Sequence, residues 1–112
     1  MNEPDARPVA FGYMRVPDPT DHAHLAQLHQ QVAAYARERG YRLVRVLVDT
    51  PLAQRSAFVH LVELFQEGEA TELVVPTLEH FTKFTSLQVG VIDQLHELGV
   101  TVWEVGEECS PR

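Results

Sequence analysis

Charged side chains stand at the ends of apolar segments in this 112-residue chain. Arg15 lies near the end of a first apolar segment, Asp49 follows a second, and Lys83 comes a few residues after a third. Arginine and lysine bind anions such as phosphate, and a neighbouring carboxylate can form an ion pair with them. Because such groups are out of place in a core, they predict a charged site at the tips of strands.

The spacing of apolar residues predicts the elements that position this site. Residues recurring at helical spacing predict three helices, which end near Gly40, Gly68 and Gly99. The order β-α-β-α-β-α-β favours a single α/β domain with a mostly parallel four-stranded sheet and helices on both faces. Sites in such sheets lie outside the carboxyl ends of the strands. The predicted strands are Val9–Val16, Tyr41–Val48, Leu73–Val75 and Val100–Val105.

Length and composition indicate one globular domain over residues 9–107, between a flexible N-terminal tail (1–8) and a C-terminal tail (108–112). No apolar run is long enough to span a membrane, and the acidic N-terminus does not resemble a signal peptide. A single cysteine, Cys109, cannot form an internal disulfide, so we expect a cytoplasmic protein.

The net charge of −7, from 9 Lys+Arg and 16 Asp+Glu, predicts weak or no DNA binding by the chain alone. No glycine-rich phosphate loop is present, so no nucleotide cofactor is expected. A metal site is not expected either. His22 and His24 do not face each other on a helix, His29 lies five residues further on, and cysteine ligands are lacking.

An ordered set of short motifs runs across residues 9–106. The motifs are Tyr13-Met14-Arg15-Val16, the stretch Ala34 to Tyr41, Val48-Asp49, Arg55-Ser56-Ala57-Phe58, Gly68 followed by Leu73-Val74-Val75, Leu78 to Lys83, and Ile92 to Val102. This set resembles the catalytic domain of serine recombinases, the resolvase/invertase family. The resemblance implies this family's fold, and in the family an arginine-rich site uses a serine to attack a DNA phosphodiester.

The sequence departs from the family pattern where the chemistry would occur. Pro17 stands at the position of the nucleophilic serine, and proline has no hydroxyl group. An arginine of the family falls on His80 and the next on Lys83, while the family's helix glutamine falls on Leu28. The resemblance therefore implies no catalytic residue but a relic site, composed of Tyr13, Arg15, Asp49, Arg55, Glu79, His80 and Lys83.

From these departures we expect a catalytically inactive domain that serves as a protein-interaction or regulatory module. Self-association or a protein partner would use Val89, Ile92 and Trp103, although core packing is the simpler interpretation of Trp103. Two alternatives remain open at this point: an accessory protein that pairs with an active recombinase, and an enzyme that binds small anions in the strand-end pocket. Arg15 could serve an anion or form an ion pair with Asp49.

The segment Glu79-His80-Lys83 is interpreted more simply as a solvated loop than as a functional one. Its three side chains belong to the relic site only through the resemblance, and their spacing alone fixes no geometry.

Overall fold

The computed structural model describes residues 7–18, 20–51 and 54–106. Most of the two expected tails falls outside the described residues, as does the expected domain end at residue 107. Of the N-terminal tail, Pro8 is described and contributes to the sheet, because its carbonyl accepts a hydrogen bond from the N–H of Arg42 at 2.8 Å.

Four parallel strands in the order β2-β1-β3-β4 form the sheet, which confirms the predicted fold class. A short 3₁₀ helix was not predicted, since three residues are too few to show a period. Each of the four strands differs from its prediction by one residue at one or both ends. The elements are β1 Val9–Arg15, α1 His22–Glu38, β2 Arg42–Asp49, α2 Ala57–Gln66, β3 Glu72–Val75, the 3₁₀ helix Leu78–His80, α3 Thr85–Glu97 and β4 Thr101–Glu104.

Local sequence fixes both ends of α1. The Asp21 carboxylate accepts a hydrogen bond from the N–H of His24 at 3.0 Å, which caps the first turn. After the last turn Gly40 has a φ of 79°, a left-handed conformation in which a side chain would be strained. The chain can therefore reverse direction and enter β2 within a few residues.

The sheet separates two apolar cores, giving three layers. Helix α1 covers one face, where Val32 packs against Met14 and Val74. Helices α2 and α3 cover the other face, where Leu61 and Leu95 belong to the larger core. No helix among the described residues is both long and apolar enough to cross a membrane.

Close packing seats α1 on the middle of β1. A Cβ atom at Gly12 would lie 2.8 Å from Cγ1 of Val32 and 3.2 Å from Cγ2 of Val46. Only glycine leaves room for α1 at this distance from the central strand. The orientation of α1, and with it the position of its first turn above the tip of β1, depends on this contact.

The chain leaves β1 in one direction to form β2 and later returns past β1 to form β3 on its other side. The crossover helices α1 and α2 consequently lie on opposite faces, and a crevice opens between them at the carboxyl end of β1. The predicted charged residues meet at this end of the sheet.

Candidate functional site at the tip of the central strand

A cavity of about 740 Å³ lies beyond the carboxyl end of β1. It is formed by the segments that follow β1, β2 and β3, together with the first turn of α1. Its lining residues are Arg15, Pro17, His24, Asp49, Thr50, Pro51, Ser56, Thr77, Glu79, His80 and Lys83. Five of the seven predicted relic-site residues are thus brought together around one cavity, and Tyr13 and Arg55 are the other two.

On the β2 side of the strand tip, Asp49 is a buried acceptor with three donors. The hydroxyl of Tyr13 donates to its Oδ2 at 2.7 Å, and the backbone N–H groups of Ala57 and Phe58 donate at 3.0 and 3.3 Å. A carboxylate at the first N–H groups of a helix also interacts favourably with the helix dipole. Asp49 therefore anchors the start of α2 to the sheet.

The pKa of Asp49 is the balance of opposing effects. Burial raises it, but the hydrogen bonds from Ala57, Tyr13 and Phe58 and the charge of Arg15 together lower the pKa below its usual value. Burial and the bond to Asp49 raise the pKa of Tyr13 well above 10, so its hydroxyl remains a donor. Tyr13 is fully buried, and its predicted place in the relic site becomes a supporting one beneath the cavity.

On the β3 side of the strand tip, the acceptor is an imidazole. The backbone N–H of Arg15 donates to Nδ1 of His80 at 2.8 Å, while the next N–H, of Val16, donates to the Asp49 carbonyl at 2.9 Å. The last two N–H groups of the strand therefore point to opposite sides and are both satisfied. Residues 77–83, called here the 77–83 loop, contact the central strand through this hydrogen bond and through Phe81, whose buried ring stacks on that of Tyr13 at 5.7 Å.

The environment of His80 disfavours the imidazolium form. Burial lowers its pKa below 6.5, and the positive charges of His24 and Arg15 lower it further, while Glu79 acts in the opposite direction. A nitrogen that accepts an N–H bond must carry a free lone pair, so Nδ1 is unprotonated and the ring proton is on Nε2. The expectation of a simple solvated loop does not describe His80, which is half-buried and bonded to β1.

Arg15 lines the cavity and acts on both Tyr13 and Asp49. Its charge and a hydrogen bond oppose the rise in the pKa of Tyr13, and its charge contributes to the lowered pKa of Asp49. The structure records no salt bridge between Arg15 and Asp49, both of which are described residues. Arg15 thus acts on Asp49 by its charge, and its interpretation as an anion-binding residue stays a prediction.

Arg55 is separate from this site. Its Nη2 donates to Oε2 of Glu63 at 2.6 Å, both side chains are largely exposed, and Arg55 does not line the cavity. The pairing links the residue before α2 to the middle of that helix. Of the predicted relic-site residues, Arg55 therefore lies outside the cavity.

Sequence reasoning missed several lining residues, of which His24, Ser56 and Thr77 are the most informative. Each belongs to a turn that follows a strand, so its place at the carboxyl edge could have been inferred from topology. Ser56 is the N-cap of α2, where its hydroxyl accepts from the N–H of Val59 at 3.3 Å. Over the described part of the chain, no cluster of three or more histidine, cysteine or acidic side chains could hold a metal ion.

The three residues expected on an interaction surface do not share one. Trp103 is half-buried on the α1 face, where its ring packs near Tyr35 and Tyr41 and its Nε1 donates to Glu72 at 3.0 Å. Val89 is 56% exposed on α3, on the opposite side of the sheet, and Ile92 is half-buried there. Trp103 is thus largely a packing residue, as the simpler interpretation held.

The arrangement defines an α/β domain with a partly cationic crevice at the switch point of a parallel sheet. Residues 10–110 match the family model described as the resolvase N-terminal domain. The match covers most of the chain, which therefore belongs to that family. Comparison with curated protein sequences gives no match.

Solved structures of serine recombinases share the fold. The C-terminal catalytic domain of ISC1926 TnpA, an IS607-like serine recombinase, is 22% identical with a TM-score of 0.75, over 87% of this chain and 70% of that one. A resolvase family site-specific recombinase from Streptococcus pneumoniae is 17% identical (TM-score 0.76, 89% and 73% coverage). A serine recombinase from Sulfolobus solfataricus is 16% identical (TM-score 0.65, 93% and 71%). At these identities the similarity concerns the fold alone.

Proposed function

We propose that this serine-recombinase-type domain does not cleave DNA and acts as a regulatory module through contacts with another protein. The observation that carries the proposal is the position of Pro17, which lines the strand-end cavity where the resemblance places the nucleophile. Nucleophilic catalysis requires a hydroxyl or another nucleophile held beside the reacting phosphorus. Pro17 offers none.

The neighbouring substitutions support the same conclusion. Phosphoryl transfer depends on several positive charges aimed at the developing charge of the transition state. Where the resemblance places an arginine, His80 uses Nδ1 to accept a backbone N–H and is disposed to remain neutral. Lys83 replaces the planar guanidinium of another arginine by a point charge. A cavity lined in this way therefore stabilises such a transition state less than several arginines would.

The surface of α3 supports a role in protein contacts. Phe84, Leu87 and Val89, at its start and in its first turns, are 68%, 57% and 56% exposed. A contiguous patch of exposed apolar side chains is characteristic of interaction sites, and these three lie within one short segment of the chain. An active recombinase is one partner that a domain of this fold could regulate, and a second copy of the chain is another. We place this role in the cytoplasm because the one cysteine cannot form an internal disulfide.

The decisive experiment tests for covalent attachment to DNA. The protein is incubated with labelled supercoiled DNA that carries the genomic sequence flanking its own coding region, and the reaction is stopped with denaturant. An active serine recombinase, incubated with DNA that carries its recombination site, serves as the positive control. We expect no protein–DNA adduct from the wild type. We also expect none from Pro17→Ser, because His80 and Lys83 remain. An adduct from the wild type would overturn the proposal, and one from Pro17→Ser alone would show that only the nucleophile is missing.

The interaction surface is tested with a matched pair of substitutions. Val89→Glu places a charge on the exposed face of α3, and Val59→Glu does the same at a valine of α2 that is 51% exposed. We expect Val89→Glu to weaken self-association, or binding to a co-purifying recombinase, by at least about tenfold, while Val59→Glu has little effect. Equal effects of the two changes, in sedimentation and pull-down, would contradict a role for α3.

The cavity itself supports a second candidate, a site for small anions. Arg15 and Lys83 line it, together with the imidazoles of His24 and His80, although Glu79 opposes them. Titration with inorganic phosphate, followed by the amide signals of residues 15–17 and 77–83, tests this function. Saturable shifts that disappear in Arg15→Gln would favour it, and shifts unchanged in that variant would exclude the cavity as the binding site.

A further inference from the structure

The 77–83 loop is joined to the central strand by a hydrogen bond that a regular sheet would not contain. Strand β3 pairs with β1 only as far as Gly12, and the chain then turns away at Pro76. The N–H of Arg15 points to this side and would have no acceptor from a strand. Nδ1 of His80 supplies one at 2.8 Å.

This bond depends on the protonation state of the imidazole. Nδ1 can accept the N–H of Arg15 only while it carries its lone pair. Protonation there turns the acceptor into a donor and places two N–H groups against each other. The bond lies at the exposed tip of the strand, where water can take the place of the imidazole as acceptor once the ring is protonated. This hydrogen bond between loop and strand therefore exists only with neutral His80, whereas the stacking of Phe81 on Tyr13 does not depend on it.

Charged and titratable groups face His80 from each element that packs around it. Arg15 comes from β1 and His24 from the first turn of α1, and both disfavour a positive charge on the ring. Glu79, from the loop itself, favours that charge. Lys83 of the same loop and Asp49 of β2 line the same cavity, and Asp49 is already occupied by its three donors.

We infer that His80 is a proton-sensitive cap of β1: the neutral ring accepts the N–H of Arg15 and holds its part of the 77–83 loop against the strand tip, and protonation releases the ring while Phe81 stays buried. The loop contributes Thr77, Glu79, His80 and Lys83 to the wall of the cavity. Acidification consequently alters the shape of the cavity and makes it more positive. This inference holds whether or not the domain cleaves DNA, so it can fail independently of the proposed function.

The experiment follows the Arg15 amide and the His80 ring by ¹⁵N NMR from about pH 7.5 to about pH 5, the range in which histidine titrates. At the upper pH we expect Nδ1 of His80 to be unprotonated and the Arg15 amide proton to show the shift of a hydrogen-bonded group. As the ring takes up its proton, the Arg15 signal should move with the same midpoint. The hydrogen-exchange rate of the Arg15 amide, corrected for the intrinsic dependence of exchange on pH, should increase by about tenfold. This is the increase expected for the loss of one hydrogen bond.

Two variants isolate the cap. In His80→Asn, the side-chain oxygen occupies nearly the place of Nδ1 and accepts a hydrogen bond without titrating, so the Arg15 signal should not change over the same pH range. In His24→Gln, a repelling charge is removed, so the midpoint of His80 should rise. A proton on Nδ1 at the upper pH would overturn the inference, as would an Arg15 signal that ignores the titration of His80 or titrates equally in His80→Asn. If a variant does not fold, the wild-type ring and amide signals still decide.

Discussion

The two sides of the β1 tip are held by different acceptors. On the β2 side Asp49 receives three hydrogen bonds, is 8% exposed and fixes the start of α2. On the β3 side His80 accepts a single hydrogen bond and helps to hold a loop that is also anchored by Phe81. The carboxylate keeps its accepting form down to acidic pH, whereas the imidazole loses it as pH falls through its lowered pKa. The hydrogen bonds on the β2 side of the strand tip thus persist at pH values where the hydrogen bond on the β3 side is lost.

The comparison also shows which parts of the site carry chemistry. Asp49 belongs to the relic site by sequence, yet all of its recorded bonds are structural. His80 was interpreted most simply as part of a solvated loop, yet it has the more specific local geometry. A charged residue at a strand tip is therefore not evidence of function until its partners are counted.

Asp49→Ala should have the largest effect on stability. It leaves the buried hydroxyl of Tyr13 without its acceptor and removes the side-chain acceptor of the first N–H groups of α2. We expect a loss of about 3 kcal/mol in the free energy of unfolding, measured by urea denaturation. Asp49→Asn keeps the shape and one acceptor oxygen and should lose less. A loss below about 1 kcal/mol for Asp49→Ala would show that Asp49 is not the anchor of α2.

The position of Asp49 could be predicted from the sequence, because it ends a strand in an alternating β-α pattern. Its partners could not. Tyr13 lies far along the chain from the adjacent residues Ala57 and Phe58, and only the fold brings their donors to one carboxylate. Arg55 shows the opposite error: the motif placed it correctly before α2, but its side chain pairs with Glu63, one of many rotamer outcomes that sequence does not distinguish.

His80 escaped prediction for a different reason. Its bond to Arg15 arises because β3 is short and leaves one N–H of β1 without a strand partner, a consequence of register rather than of residue type. The overall fold is predictable because hydrophobic spacing repeats over many residues. A single side chain that caps a strand produces no periodic pattern in the sequence and so cannot be predicted in this way.

Gly12→Ala should cause the next largest loss of stability. It tests a feature that both sides of the strand tip depend on, namely the close packing of β1 against α1. The new methyl group would meet Cγ1 of Val32 at 2.8 Å in a closely packed layer. We expect a loss of about 2 kcal/mol, measured by thermal or urea unfolding. Gly90→Ala is the matched control, since nothing lies within 4 Å of the added atom on α3. That change should leave stability unchanged or raise it by up to about 1 kcal/mol, because alanine favours helix. Equal losses in both variants would refute the close contact.

The smallest effect expected is the one that separates the two acceptors by pH. Because the pKa of His80 is lowered in the folded state, the unfolded chain binds the additional proton first as pH falls below 6.5. The stabilisation from neutral His80 is therefore fully present above that pH and is lost as pH falls through the folded value. Asp49, whose pKa is also lowered, loses its contribution only when pH falls below 3.8.

The free energy of unfolding of the wild type should thus decrease by about 0.5–1 kcal/mol between about pH 7.5 and about pH 5, relative to His80→Asn. Urea titrations of the two proteins at each pH measure this difference directly, because histidines far from residue 80 contribute equally to both and cancel. His24 is the exception, since its charge acts on His80, and a His24→Gln background removes it. If the pH-dependent difference in stability between His80 and His80→Asn persists when both proteins carry His24→Gln, the pH dependence is assigned to the His80 cap of β1. Parallel curves for wild type and His80→Asn would mean that the imidazole contributes no more than the amide that replaces it, and the two sides of the strand tip would then respond alike to acid.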